Sequence, residues 1–188
     1  MVNKDRVEKL FKQIIFDELK LQETVPVQHL EDTPRRITKM LVDELFSGCF
    51  TEPPEITVFD NENPDDEHQV VCVKDVDIRS MCSHHFMPFY GKATICYIPK
   101  YKLAGLSKFA RVAHYFAARP QVQEELTKQI VQYLNDKIEP YAVGAKLVCQ
   151  HMCMVHRGAK TNGWMETRHI IAENEEVRKE LKEILENS

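Results

Sequence analysis

Two segments that carry possible metal ligands lie far apart in the sequence, and this separation constrains the fold. Cys82 and His85 are spaced so that one tight turn can present both side chains. His151 and Cys153 lie downstream, with His85 and Cys153 separated by 68 positions. A zinc finger would have its second pair of ligands within a short loop. If these side chains bind one ion, the chain must therefore fold so that two distant segments meet.

Two adjacent histidines follow Cys82, and the sequence then alternates as in a β-strand. Neighbouring residues on an extended chain point to opposite sides. We therefore interpret His85 as a metal ligand and His84 as a proton carrier. His151 and Cys153 are two positions apart, so on a strand they would share a face. Three protein ligands, two Cys and one His, together with a water are typical of catalytic zinc.

The pattern alone leaves an ordinary alternative open. A pair of histidines in a loop is also typical of a solvated surface, and a lone buried cysteine is usually a small hydrophobic residue. Cys49, Cys72, Cys96 and Cys149 fit that description. The six cysteines are scattered through 188 residues, without the density of a secreted disulfide scaffold. The sequence therefore predicts free thiols and a reducing, cytoplasmic environment.

Charge and hydropathy exclude several classes of partner. The net charge of -4 argues against a surface built for nucleic acid or an anionic membrane. No apolar run approaches the roughly 18 residues of a membrane span, and the N-terminal sequence does not resemble a signal peptide. A length of 188 residues with 43% hydrophobic residues suits a globular chain with a full core. We expect no nucleic-acid partner and no membrane partner.

Periodicity predicts an α+β fold. A helix is predicted over 4–20, and a second is predicted to begin at Asp32 or Thr33, with Pro34 in its first turn, and to end at Gly48. The region between 51 and 68 predicts a short strand and an acidic turn. We predict an antiparallel sheet with two central helices covering one face. The other predicted elements are strands over 69–82, 91–99, 143–157 and 167–172 and helices over 105–118, 121–138 and 174–186.

Basic residues near predicted helix starts indicate a possible anion site. Ser107, Lys108 and Arg111 lie at the start of one helix, where backbone N–H groups favour negative charge. Arg36 and Lys39 repeat the three-residue spacing near another helix start. Basic side chains on helices often face only solvent, so each pair taken alone has that ordinary interpretation.

Glu124 lies in the first turn of a predicted helix, where a carboxylate is also favoured by the helix dipole. The pattern alone favours this ordinary role over a contact with a guanine edge. Arg157 follows Cys153 by four positions and extends the set of basic candidates.

Five segments together resemble the ordered motif set of the GTP cyclohydrolase I family. They read DTPRRITKM, CSHHFMPFYGKATICYIP, GLSKFARV, RPQVQEELTKQI and HMCMVHRG, and they cover about residues 32–158. The resemblance implies the tunnelling fold, an antiparallel sheet with helices packed on one face, in which the sheets of several subunits join into a barrel. It also implies a helical segment at 1–50 and a catalytic tunnelling-fold domain at 51–188, acting as a single functional unit.

The resemblance implies an activity and an assembly. GTP and water would be converted to formate and 7,8-dihydroneopterin 3'-triphosphate, the first step of pterin and folate biosynthesis. The expected assembly is a homodecamer of two pentamers, with active sites at subunit interfaces. The implied cofactor is Zn²⁺, with ligands at Cys82, His85 and Cys153, and the implied catalytic histidines are His84 and His151.

The resemblance also implies residues that bind or process the substrate. Ser107 would share the later proton transfers with His84. Glu124 and the adjacent Gln123 would bind the guanine of the substrate, which replaces the ordinary interpretation of the Glu124 carboxylate. The triphosphate contacts implied are Arg36, Lys39, Ser107, Lys108, Arg111 and Arg157.

Two departures from the family pattern leave alternatives open. Ser83 stands where the family usually has Glu, and the segment 159–169, with the single tryptophan Trp164, replaces a Ser/Thr-rich strand. The second departure supports a rival enzyme of the same fold that stops at an earlier product. A zinc-stabilised, ring-forming binding module is the other rival, although a structural site would need neither additional histidine. The metal-ligand set argues against the related nitrile reductases, which use a nucleophilic Cys.

Overall fold

The computed structural model describes residues 2–64 and 69–188. Contacts between Cα atoms divide the chain into two compact units, Met1–Thr51 and Glu52–Ser188. Among the described helices, none is both long enough and apolar enough to cross a membrane. Most of the predicted acidic turn falls at 65–68, outside the described residues.

The first unit is helical, but its helices are more interrupted than the periodicity predicts. Helix α1 spans Lys4–Lys12, and the side chain of Asn3 caps it by accepting a hydrogen bond from the Arg6 N–H at 2.9 Å. The backbone then changes to a π-helical segment at Gln13–Glu18. The prediction of one α-helix over 4–20 is therefore wrong in its second half. The predicted apolar face nevertheless contributes Ile15, which is buried.

A second group of helices follows in this unit. A short helix α2 at Val27–Leu30 was not predicted. Helix α3 spans Thr33–Lys39 after Asp32, with Pro34 in its first turn as predicted. The chain continues as a π-helical segment and then as a 3₁₀ turn at Ser47–Cys49, so Gly48 lies within the turn that follows the helix.

The second unit is built on a five-stranded sheet. Its strand order is β5-β2-β3-β6-β7, and the neighbours β2–β3, β3–β6 and β6–β7 are all antiparallel. Strand β5 pairs in parallel with the end of β2, so the sheet is not wholly antiparallel. A separate ribbon joins β1 and β4. The strands are β1 Val58–Asp60, β2 Val71–Cys82, β3 Pro88–Ile98, β4 Lys102–Ala104, β5 Pro120–Gln121, β6 Ala142–His151 and β7 Trp164–Ala172.

Helices cover both faces of this sheet: the two central helices cover one face, as predicted, but the C-terminal helix covers the other, so the expectation of helices on one face only is wrong. Helices α4 (Ser107–Ala117) and α5 (Gln123–Ile138) pack on the face that carries Ile95 and Tyr97 of β3. The C-terminal helix (Glu175–Glu186) packs with Cys96 and Ile98, the alternate residues of the same strand. The helices lie on opposite faces because successive side chains of β3 point to opposite sides of the sheet, and β3 has apolar residues on both sides.

Cys72 and Cys96 form a disulfide, so the prediction of free thiols is wrong for these two residues. They are directly paired between β2 and β3, with Cα atoms 4.1 Å apart. Cys49, Cys82, Cys149 and Cys153 are free thiols. The sequence could not reveal the disulfide because it depends on the register of the two strands.

Candidate active site

The first two possible ligands lie in a tight turn that joins β2 to β3. The Cys82 N–H donates to the Met87 carbonyl at 2.8 Å, and the Phe86 N–H donates to the Cys82 carbonyl at 2.9 Å. The Ser83 N–H donates to the carbonyl of Gln121 in β5, also at 2.9 Å. These bonds tie the turn to the sheet on both sides. The thiol of Cys82 is consequently buried while His85 stays exposed.

The third possible ligand does not lie on a strand, which corrects the geometry we inferred from spacing. Strand β6 ends at His151, and a one-turn helix, α6, spans Met152–Val155. Cys153 therefore reaches the turn that follows β2 through this helix and not by sharing a strand face with His151. A spacing of two residues does not distinguish a shared strand face from this arrangement, because the backbone changes from strand to helix between His151 and Cys153.

Cys82, His85 and Cys153 come together as a group that could hold a metal ion, with all ligand atoms within 4.8 Å of one another. The Cys82 Sγ lies 4.0 Å from the His85 Nδ1. A tetrahedral ion with bonds of about 2.0–2.3 Å holds its ligand atoms about 3.3–3.8 Å apart. The three residues thus fit such an ion after their ligand atoms move together by at most about 1.3 Å.

The electrostatics of Cys153 depend on the same group. Burial raises the pKa of the Cys153 thiol, and the neighbouring Cys82 raises it further, while the positive charge of Arg157 acts in the opposite direction. A metal ion would reverse this balance, because it binds the deprotonated thiolate. The pKa pattern is therefore that of two thiols close enough to share one cation.

We inferred that the two adjacent histidines point to opposite sides of an extended strand, and this inference is wrong. Both lie in the turn, with the Cys82 Sγ 3.8 Å from the Nδ1 of His84 and 4.0 Å from that of His85. Their ring centroids are 6.2 Å apart, and the ring planes are inclined by 76°. Only His85 belongs to the group that includes Cys153 within the described residues. The turn, and not strand alternation, separates the two rings.

His151 lies beside this group in a defined environment. Its ring stacks on Phe89, with centroids 4.5 Å apart and planes inclined by 7°, and the two residues are paired across β3 and β6. Its Nε2 lies 2.8 Å from the Oε1 of Gln123. Burial lowers the pKa of His151, while the negative charge of Glu124 opposes the shift. The imidazole is therefore held by two neighbours, Phe89 and Gln123.

No sequence pattern indicates the role of Phe89, since a single phenylalanine in an alternating strand is an ordinary core residue. The same holds for Thr127 and Thr167, whose hydroxyl groups lie 2.7 Å apart beside Gln123. The Gln123 side chain is only 1% exposed and bonds to protein groups, whereas the resemblance implied a substrate contact.

The other candidates occupy helix starts and exposed positions. Ser107 is the first residue of α4, with Ser107 and Arg111 exposed and Lys108 half-buried. Glu124 is exposed in the first turn of α5. In the first unit, the exposed Arg36 and Lys39 lie on α3, where Arg36 also pairs with Asp32 at 3.4 Å. The exposed Arg157 lies two residues beyond α6.

The model of the family described as GTP cyclohydrolase I matches residues 7–187. The chain belongs to the GTP cyclohydrolase I family. Proteins named GTP cyclohydrolase 1 are similar to it: that of Carboxydothermus hydrogenoformans is 40% identical over 164 residues, covering 87% of this chain and 82% of the relative. That of Streptococcus agalactiae is 41% identical, with coverage of 87% and 84%, and that of Shewanella baltica is 43% identical, with coverage of 82% and 70%.

Membership of the GTP cyclohydrolase I family confirms the prediction made from the five motifs, and with it the prediction that the chain is an enzyme of this family. Among solved structures, an archaeosine synthase QueF-Like in the apo form matches with a TM-score of 0.45 and 15% identity. That match covers 56% of this chain and 95% of the other.

Proposed function

We propose that this chain hydrolyses GTP and rearranges the product to 7,8-dihydroneopterin 3'-triphosphate, with release of formate. The observation that carries the proposal is the convergence of Cys82, His85 and Cys153 beside His151 in a member of the GTP cyclohydrolase I family. Its relatives are named for action on GTP. A zinc-stabilised binding module would not require a half-buried, hydrogen-bonded histidine next to the ligand group.

Zinc is the proposed metal, held by Cys82, His85 and Cys153. Two thiolates and one imidazole form a ligand set that zinc uses in catalytic sites, with one position left for water or substrate. When bound, zinc acts as a Lewis acid that lowers the pKa of a coordinated water from about 15.7 to about 7.

His151, His84 and Ser107 are proposed to handle protons. His151 would donate a proton to the imidazole ring of guanine, which makes C8 more electrophilic and open to attack by water. His84, exposed in the turn, and Ser107, exposed at the start of α4, would carry protons in the later opening and reclosure steps. Histidine suits these transfers because its ordinary pKa lies near neutral pH.

Substrate contacts are proposed at the exposed charged residues. Glu124 would accept two N–H bonds from the guanine edge, and its exposure and its effect on His151 are consistent with that position. The triphosphate would contact cationic side chains, with Ser107 also available at the helix start. The proposed cations are Arg36, Lys39, Lys108, Arg111 and Arg157.

The test is incubation of purified, metal-analysed protein with GTP, followed by assays for formate and for a fluorescent oxidised pterin. Equal amounts of formate and pterin are expected. Formation of an earlier product, such as a formamide, without pterin would favour the rival enzyme of the same fold. Absence of any product from zinc-loaded protein would contradict the proposal.

A further inference from the structure

We infer that Gln123 is a positioning residue that holds His151 in one tautomer, with the proton on Nε2 and the lone pair on Nδ1 directed at the reaction. The inference rests on the proposed role of His151 and assigns Gln123 a different task from substrate binding.

The amide nitrogen of Gln123 faces two backbone carbonyls, which can only accept a hydrogen bond. It also faces the Thr167 hydroxyl, whose single proton is donated elsewhere. Its Nε2 lies 3.2 Å from the Leu147 carbonyl and 3.0 Å from the Met165 carbonyl. A backbone carbonyl has no proton to donate. Rotating the amide by half a turn would place its oxygen against both carbonyls, in a site only 1% exposed. The amide orientation is therefore fixed by the backbone.

Two threonines complete the anchor. The Thr127 hydroxyl donates its single proton to the Gln123 backbone carbonyl at 2.8 Å. At the 2.7 Å contact between the two hydroxyl groups, Thr167 must then be the donor and Thr127 the acceptor. The Thr167 oxygen is left free to accept from the Nε2 of Gln123 at 3.0 Å. The two protons on the Nε2 of Gln123 serve three acceptors, so one proton is shared between two oxygens, and every bond in the network has one donor direction.

The consequence reaches the imidazole. With its nitrogen directed at the carbonyls, Gln123 presents Oε1 to the Nε2 of His151 at 2.8 Å. An amide oxygen accepts only, so the Nε2 of His151 must donate in both the neutral and the protonated ring. The proton that leaves and returns is then on Nδ1. Stacking on Phe89 at 4.5 Å fixes the plane of the ring, and Gln123 fixes its rotation within that plane.

An uncharged partner has a further effect. A carboxylate at this place would also orient the ring, but it would add a negative charge to a half-buried imidazole. The amide orients the ring without that charge. Strand β7 thereby contributes to the chemistry through Thr167, although Thr167 makes no contact with His151 in this network.

The experiment is solid-state NMR of the zinc-loaded protein containing ¹⁵N-histidine, at a pH well above the ordinary histidine pKa. A His151→Asn variant identifies the His151 signals. The native ring is expected to be protonated on Nε2 alone. Gln123→Met, which keeps the size and removes the acceptor, should give a mixture of tautomers. Thr167→Val should weaken the preference, whereas Thr167→Ser should preserve it. Thr94→Val, at a buried threonine of β3, is the matched control.

Kinetics on the same variants separate positioning from substrate binding. Gln123→Met should lower kcat about tenfold or more, up to the 10²–10⁴-fold loss typical of removing a general acid, with KM for GTP changed less than about twofold. An unchanged tautomer, or a raised KM with unchanged kcat, would overturn the inference. If Gln123→Met does not fold, the Thr167 pair decides. The NMR result needs no turnover, so failure of the proposed reaction is distinguishable from failure of this hydrogen bond.

Discussion

Cys149 and Cys153 lie four positions apart in the sequence but in different environments. Cys149 is fully buried in β6, and burial raises its pKa to about 12. Cys153 is half-buried next to Cys82 and His85. We expect about one zinc per subunit, and Cys153→Ser should lose it because one of three ligands is weakened. Metal analysis after dialysis provides the measurement. Cys149→Ala is the control and should retain the metal; full retention by Cys153→Ser would remove Cys153 from the ligand set.

His84 and His85 are adjacent, but we assign them different roles. Their Nδ1 atoms are almost equally far from the Cys82 Sγ, so proximity alone does not separate their roles. His85→Ala should lose the metal. His84→Ala should keep metal and GTP affinity but lose about 10²–10⁴-fold in kcat, as expected for an acid–base group. The measurements are zinc content, GTP binding and rate. The assignment is reversed if His84→Ala loses the metal and His85→Ala does not.

At this scale, spacing identified the group Cys82, His85 and Cys153, because few arrangements bring two Cys and one His together. It did not identify the bonds of Gln123. The Gln123 amide bonds to the backbone carbonyls of Leu147 and Met165. Every residue type has a backbone carbonyl, so no pattern of side chains could reveal these bonds.

The pairing of β3 with β6 depends on a glycine. A Cβ at Gly91 would lie 1.9 Å from the Val148 carbonyl oxygen and 2.7 Å from the Cys149 Cα. Gly91→Ala should therefore destabilise the fold by about 3 kcal/mol, at the upper end of overpacking effects. Thermal unfolding provides the measurement. Gly105→Ala is the control, since its nearest neighbour would lie at 3.7 Å, and it should change stability much less. Equal midpoints for the two variants would contradict the prediction.

The same substitution should reach the site. Gly91 lies two residues from Phe89, whose register with His151 holds the ring stack.

The elements themselves were largely predictable, since the central helices and the strands follow their apolar periods. The interruption at Gln13–Glu18 and the one-turn helix Met152–Val155 were not, because neither changes the hydrophobic spacing.

For the whole molecule, the proposed assembly is a large ring, a decamer of two pentamers with active sites at subunit interfaces. Strand β7 ends the order of the sheet, and β5 pairs only with Met81 and Cys82 of β2, so within the described residues most of the outer edge of β2 and that of β7 have no strand partner. Exposed edges favour pairing with another chain. Sedimentation should give a single large species, and a stable, fully active monomer would contradict this proposal.

The distance in sequence between Cys82 and Cys153 gives the metal a second consequence, for folding. An ion held by both would act as a reversible cross-link that closes a long loop, with a contribution of about 4 kcal/mol when free metal exceeds its Kd a thousandfold. Chelation should lower the thermal midpoint by several degrees and speed hydrogen exchange in 83–87 and α6 before α5. The Cys153→Ser variant should be insensitive to chelator. An unchanged midpoint of the native protein would mean that the sheet alone joins the two segments, and that the ion serves chemistry without supporting the fold.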